Sequence, residues 1–240
     1  MYPSPFSLAV HRKVLLLLVL LCALHFVLGA SLGLSVDEAH YALYAAHPDW
    51  SYFDHPPLVG WVQWPLVVLD APTWALRLVP ELLWLGTAVV VYHLAERLHT
   101  AEVEQRVVAQ AGFWAVAALS VAPLLHVLGI GLLPDTLLVF LTALVMWTTL
   151  DLMDAETAQR PLPWLYLGLL LGLAGLSKYT AIFSALAVAI CLLMAHGAAL
   201  LRNAWAWLAL GLALLLVVPV AYWNQANHWI SLTYQAKHGA

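Results

Sequence analysis

Apolar positions come in long runs along this chain, and polar positions are squeezed into the short gaps between them. The pattern has neither the alternation of a half-buried strand nor the one-sided stripe of a helix on a soluble core. Runs of about 20 mainly apolar residues have the length of a helix that crosses a bilayer. Seven spans are expected, over 14–34, 77–97, 108–130, 134–152, 163–177, 180–200 and 204–223. Ser177-Lys178-Tyr179 interrupts the fifth and sixth, and the fifth is short. A further apolar stretch, 58–69, is too short to cross. With Trp61 and Trp64 it reads as an interfacial or re-entrant piece, because indole favours the headgroup level. The pattern therefore predicts an all-α integral membrane protein, a polytopic helical bundle of about seven transmembrane helices. No internal repeat or low-complexity linker divides it, so 1–240 reads as a single domain.

Composition agrees with lipid as the solvent. Hydrophobic residues make up 64% of the 240 and charged residues 9%, against roughly 25% charged in ordinary soluble domains. Mean hydropathy is +0.88. A net charge of −4 gives no electrostatic case for nucleic acid. Cys22 and Cys191 lie inside apolar runs and make neither a disulfide framework nor a metal site. His11-Arg12-Lys13 precedes the first run as in a signal peptide. That run has spanning length, however, and the cleavage pattern near Leu28-Gly29-Ala30 is poor, so it reads as an uncleaved first span.

Basic residues set the expected orientation. With Arg12 and Lys13 inside, alternation also puts Arg97, Arg106, Arg160 and Arg202 inside, six of the nine Lys and Arg. Arg77, Lys178 and Lys237 fall near or beyond the outer surface. The N-terminus is then cytoplasmic, in a multi-pass membrane protein. The outer face collects the 35–57 loop, Pro134-Asp135, Ser177-Lys178-Tyr179 and the tail from Asn224 onward.

Each of these polar features has a functional reading beside a plain one. Ser35 and Glu38 have the spacing of a capping box, which predicts a short helix in the first outer loop. That helix would put Asp37, Tyr41 and Tyr44 on one face, with Glu38 turned toward Ala42 and Ala45. Capping would explain Glu38 fully; Asp37 is more than a helix start requires. Asp54-His55-Pro56-Pro57 is a stiff extended element that presents an acid and an imidazole, or else a proline-rich turn into the interfacial piece. Asp135 after Pro134 is what a helix start prefers anyway, so only its shared face with Asp37 raises it. Lys178 sits between apolar runs. It either snorkels or binds an anion, and a lipid phosphate is the natural anion at that depth. Arg77 is a second candidate for that task. The tryptophans of Trp223-Asn224…His228-Trp229 fit an interfacial belt. His40, His47, His55 and His228 all face out. A divalent metal is thus conceivable, but no pair has diagnostic ligand spacing, and no cofactor is identified.

Taken in order, several of these motifs have a familiar look. Asp37-Glu38 followed by Tyr41, Tyr-Phe-Asp-His-Pro-Pro-Leu at 52–58, Pro134-Asp135, Leu176-Ser177-Lys178-Tyr179-Thr180 and Trp223-Asn224…His228-Trp229 resemble bacterial membrane glycosyltransferases of family 39. These are relatives of protein O-mannosyltransferases and of the aminoarabinose transferase that modifies lipid A. The resemblance runs from about residue 12 to the end and is most specific in the first loop. It implies a GT-C architecture with an extracytoplasmic site and a polyprenyl-phosphate-linked sugar as donor. It maps the catalytic base onto Asp37, with Glu38 travelling beside it, the second acidic site onto Asp135, and the membrane lysine onto Lys178. Such proteins usually continue for several more spans, so 1–240 is expected to be an N-terminal half.

The expected activity is inverting transfer of a sugar to a lipid, protein or glycan acceptor. Asp37 and Glu38 are the catalytic candidates. Tyr41, Asp54, His55, Arg77, Asp135, Lys178 and Tyr179 are the substrate-binding candidates. The competing readings are a transporter or lipid-carrier flippase, and an inactive truncated scaffold. Gathering of polar groups on one face, without repeat symmetry, argues against a transporter.

Overall fold

The computed structural model describes residues 5–99 and 105–238, and among them the chain forms helices and no strand. Gly239 and Ala240, the end of the expected outer tail, lie outside. The first span is α1 (Pro5–Ser31). After it come α2 (Val36–Ala46), the helix expected in the first loop, and α3 (Leu58–Val68), a helix over the short apolar stretch. The short α4 (Thr73–Leu76) leads through Arg77 into α5 (Leu78–His99), so the second span begins earlier than hydropathy indicated. Then follow α6 (Gln105–Ser120), α7 (Pro123–Ile130), α8 (Pro134–Leu152), α9 (Pro161–Ser177), α10 (Ala181–His196), α11 (Ala204–Ala226) and α12 (Ile230–His238).

Five segments among the described residues are long and apolar enough to cross a bilayer: Ala9–Ser31, Thr73–His99, Pro134–Leu152, Ala181–Arg202 and Ala204–Ala226. In the last two only 11% of the most apolar window is buried, so most of that surface is left to lipid. The protein is an all-α polytopic membrane bundle. Of the seven expected spans, the fifth, 163–177, falls in α9, which at 17 residues is apolar but shorter than these five.

The expected third span, 108–130, departs from a straight helix: α6 and α7 meet at 78°. Pro123 has no N–H and pushes the preceding residue out of the helical region, and Ala122 is extended at φ −86°, ψ 108°. The break is held by buried polar side chains. His126 Nε2 lies 2.8 Å from the Ser120 carbonyl, His126 Nδ1 lies 2.7 Å from His25 Nε2, and His25 Nδ1 lies 2.8 Å from Glu81 Oε2. Such a chain of partners is what ionisable groups within apolar helices require. Trp84 closes it off, edge-on to His25 with ring centroids 5.0 Å apart.

Two glycines permit close helix approaches. A Cβ on Gly168 would lie 2.5 Å from the Ala209 carbonyl oxygen, so only glycine lets α9 approach α11 this closely, as in small-xxx-small membrane pairs. On α3, a Cβ on Gly60 would lie 2.9 Å from Tyr44 Cβ, so α3 seats directly beneath α2. The starts of α2, α5, α8 and α10 and the ends of α1, α9 and α11 then meet at one end of the bundle.

Candidate functional site

The site begins with a helix cap. Ser35 Oγ accepts from the Glu38 N–H, and Glu38 Oε2 accepts from the Ser35 N–H at 2.8 Å, completing the expected capping box. Glu38 also pairs with Arg77, through Nε to Oε1 at 2.7 Å and Nη2 to Oε2 at 2.9 Å. The other Arg77 N–H groups donate to the carbonyls of Gly29, Leu32 and Gly33 at the end of α1. All five guanidinium donors are thereby engaged. Arg77 thus satisfies one C-terminal carbonyl of α1, that of Gly29, with two just beyond the helix, and ties them to the start of α2. Burial pushes the Glu38 carboxyl up, but hydrogen bonds from Arg77 and Ser35 outweigh it and hold the group below its ordinary range.

The buried side of α2 carries Glu38, Tyr41, Tyr44 and Ala45. Glu38 therefore turns inward to Arg77, beyond the alanines it was expected to face. Asp37 lies on the exposed flank. It makes no hydrogen bond or ion pair among the described residues. Tyr41 is 7% exposed, and its hydroxyl is driven to hold its proton by burial and then by the charges of Asp54, Asp37 and Asp135. Tyr44 donates to Asp54 Oδ1, and His40 Nε2 lies 2.9 Å from the Tyr44 hydroxyl and 3.2 Å from Asp54 Oδ2. Burial, followed by this bond to Asp54, raises the Tyr44 phenol far above its ordinary value.

The loop after α2 is rigid for identifiable reasons. Tyr52 stacks on Tyr44 with centroids 3.6 Å apart and planes 7° apart. Its N–H donates to the His55 carbonyl at 3.0 Å, closing a turn over 52–55. Pro56 and Pro57 are fully buried behind it. His55 is brought to Tyr41, with ring centroids 5.9 Å apart. Burial lowers the His55 imidazole below its ordinary value, Asp54 pulls the other way, and Lys178 adds to the lowering. His55 Nδ1 is buried without a hydrogen-bond partner.

Asp135 and Lys178 meet across the start of α8 and the end of α9, with Lys178 Nζ 2.7 Å from both carboxylate oxygens. Ser177 Oγ donates to the Pro134 carbonyl at 2.7 Å beside them. The Tyr179 hydroxyl lies 3.4 Å from Ser51 Oγ and accepts from Asn224 Nδ2 at 3.2 Å. The tail turns back at His228 and Trp229, both at φ 58°. In α12, Ser231 Oγ and Gln235 Nε2 donate to the Tyr52 and Asp54 carbonyls, each at 2.5 Å.

Asp37, Tyr41, Asp54, His55, Asp135, Lys178 and Tyr179 are therefore neighbours. Glu38 and Arg77 adjoin them as a closed pair. Hydropathy and spacing missed His40, Tyr44, Asn224 and Gln235 as members. The i, i+4 spacing of His40 and Tyr44 was a usable signal, whereas Asn224 and Gln235 arrive only through the fold. No group of three or more His, Cys, Asp or Glu among the described residues is placed to hold a metal ion.

The fold and site are those of a polytopic membrane protein that gathers a carboxylate-rich first loop, a lysine and a folded-back tail at one end of its helices. The chain belongs to the dolichyl-phosphate-mannose-protein mannosyltransferase family, whose model matches residues 54–223. It is similar to the lipid A galacturonosyltransferase RgtD of Rhizobium johnstonii, 27% identical over 220 residues that cover 85% of this chain. The match covers 44% of that relative, so the chain spans less than half its length. No solved structure matches the chain.

Proposed function

We propose that this chain carries the sugar-transfer site of a membrane glycosyltransferase that uses a polyprenyl-phosphate-linked sugar. The observation that carries the proposal is the uneven engagement of the site's acids. Arg77 takes Glu38, Tyr44 and His40 take Asp54, and Lys178 takes Asp135, while Asp37 alone is exposed and unengaged among the described residues. An unengaged carboxylate beside positioned donors is what a general base requires.

The acceptor hydroxyl attacks the anomeric carbon as the bond from that carbon to the lipid phosphate breaks. Asp37 takes the hydroxyl proton, and the phosphate leaves with the bonding electrons, inverting the anomeric centre. Lys178 has a third N–H beyond the two aimed at Asp135, and directs it at the phosphate as negative charge grows there. His55, neutral at physiological pH, and Tyr41 bind sugar hydroxyls. Asp54, Asp135 and Tyr179 fix the surrounding side chains. Glu38 and Arg77 act as positioning residues that hold the start of α2. The site faces the extracytoplasmic side of the cell inner membrane, with the N-terminus in the cytoplasm. By analogy with the name of the Rhizobium protein, the acceptor class is a saccharide-bearing lipid.

Proteoliposomes loaded with a labelled polyprenyl-phosphate sugar test this reading. Transfer of label to the acceptor with release of polyprenyl phosphate is the expected result. Intact donor crossing the bilayer without transfer would instead make the protein a flippase.

A further inference from the structure

Beside the candidate site, on the outward side of the same loop, Pro48, Asp49, Trp50, Trp61 and Trp64 line an open pocket of about 530 Å³. Trp61 and Trp64 are one turn apart on α3 and present one helix face. Trp50 meets Trp61 nearly at right angles, with ring centroids 5.7 Å apart and an interplanar angle of 84°. The two indoles make a corner, and Trp50 and Trp64 remain 54% and 48% exposed. An interfacial belt would account for the tryptophans but not for the carboxylate set among them.

Asp49 is held rigidly in that corner. Its Oδ1 accepts from the Trp50 N–H at 2.7 Å, its Oδ2 from Trp223 Nε1 at 2.8 Å, and its carbonyl from Trp61 Nε1 at 2.9 Å. Its own N–H donates to the Tyr52 hydroxyl at 3.0 Å. Every partner is neutral, and no Lys, Arg or His among the described residues forms a salt bridge with it. The pocket thus sets a negative charge with no cationic partner among three indoles. Both features attract a cation, and an aromatic wall favours an organic ammonium over a hydrated metal ion. The exposed tryptophans on the short apolar α3 fit the headgroup level of a bilayer, where the abundant organic ammonium is a phospholipid headgroup.

We propose that this pocket binds the ammonium headgroup of a membrane phospholipid, choline or ethanolamine, with Asp49 as counter-ion and Trp50, Trp61 and Trp64 as the cage. Held there, a lipid would pin the first outer loop to the bilayer surface beside the sugar-transfer site. The proposal is independent of that site's chemistry and survives if no transfer occurs.

Purified protein in a neutral detergent tests the charge requirement. Choline and its uncharged isostere 3,3-dimethylbutan-1-ol are titrated separately, and saturation transfer from protein to their methyl protons is read by NMR. Choline should bind saturably and at least about ten-fold tighter than the isostere. Asp49→Asn, which keeps the shape and a hydrogen-bond acceptor, should lower choline affinity at least about ten-fold. Equal binding of the isostere, or choline binding unaffected by Asp49→Asn, overturns the proposal; the first comparison needs no variant to fold. For the lipid source, native mass spectrometry compares phosphatidylcholine and phosphatidylethanolamine with phosphatidylglycerol. Preferential retention of the first two, lost in Asp49→Asn, supports a headgroup site, and equal retention of all three overturns it.

Discussion

Glu38 and Asp37 are adjacent in sequence and chemically opposite in the fold. A capping box could be read from Ser35 and Glu38, and it forms. What spacing could not reveal is the partner 39 residues away, Arg77, whose approach depends on how α5 packs against α1. Both side chains are 8% exposed, so removing one strands a buried charge. Arg77→Ala is expected to cost about 3–5 kcal/mol, read as a fall in thermal unfolding midpoint in detergent. Arg77→Lys should recover only part of the loss, because an ammonium cannot fill the five-donor fork. The pair also gives stability a pH sign. Glu38 titrates below its ordinary value of 4.5, so its contribution is present above that value and is lost as pH falls through the lower folded value. Unfolding midpoints measured downward from neutral pH should show this acid loss in wild type, and Glu38→Gln should flatten it.

Hydropathy located most of the helices because spanning length and apolarity are local properties. It could not report that α6 and α7 are bent at 78°, since the run stays apolar straight through Pro123. His25, Glu81 and His126 carry a signal of packing in the sequence itself, since ionisable groups within apolar runs are costly unless partnered. Their partners lie far apart in the chain and meet only where α1, α5 and the broken span pack together. The hydrogen-bond pattern leads to a specific expectation. Glu81→Gln supplies an N–H to His25 Nδ1 without charge and keeps all three hydrogen bonds, so it should leave the unfolding midpoint nearly unchanged. His126→Phe strands His25 Nε2 and the Ser120 carbonyl and should cost about 1–3 kcal/mol for each buried group left unpaired. Equal destabilisation by both variants in a thermal scan would contradict this chain of hydrogen bonds.

The bundle as a whole does one thing that no single helix can: it carries Asp37, Asp54, His55, Asp135, Lys178 and Tyr179 to one end. Alternation of spans anticipated that gathering, and basic-residue placement gave it an expected side. The pairings themselves were not legible, because Lys178 reaches Asp135 across 43 residues and Gln235 reaches Asp54 across 181. Those pairings separate the acids into held and unheld, and the account rests on that separation. The most direct test is single-turnover sugar transfer by Asp37→Asn and Glu38→Gln beside wild type, each first checked for membrane insertion. Asp37→Asn should insert normally and lose roughly 10²–10⁴-fold in the transfer rate, with Glu38→Gln losing much less in the chemical step. Wild-type transfer by Asp37→Asn would contradict the account.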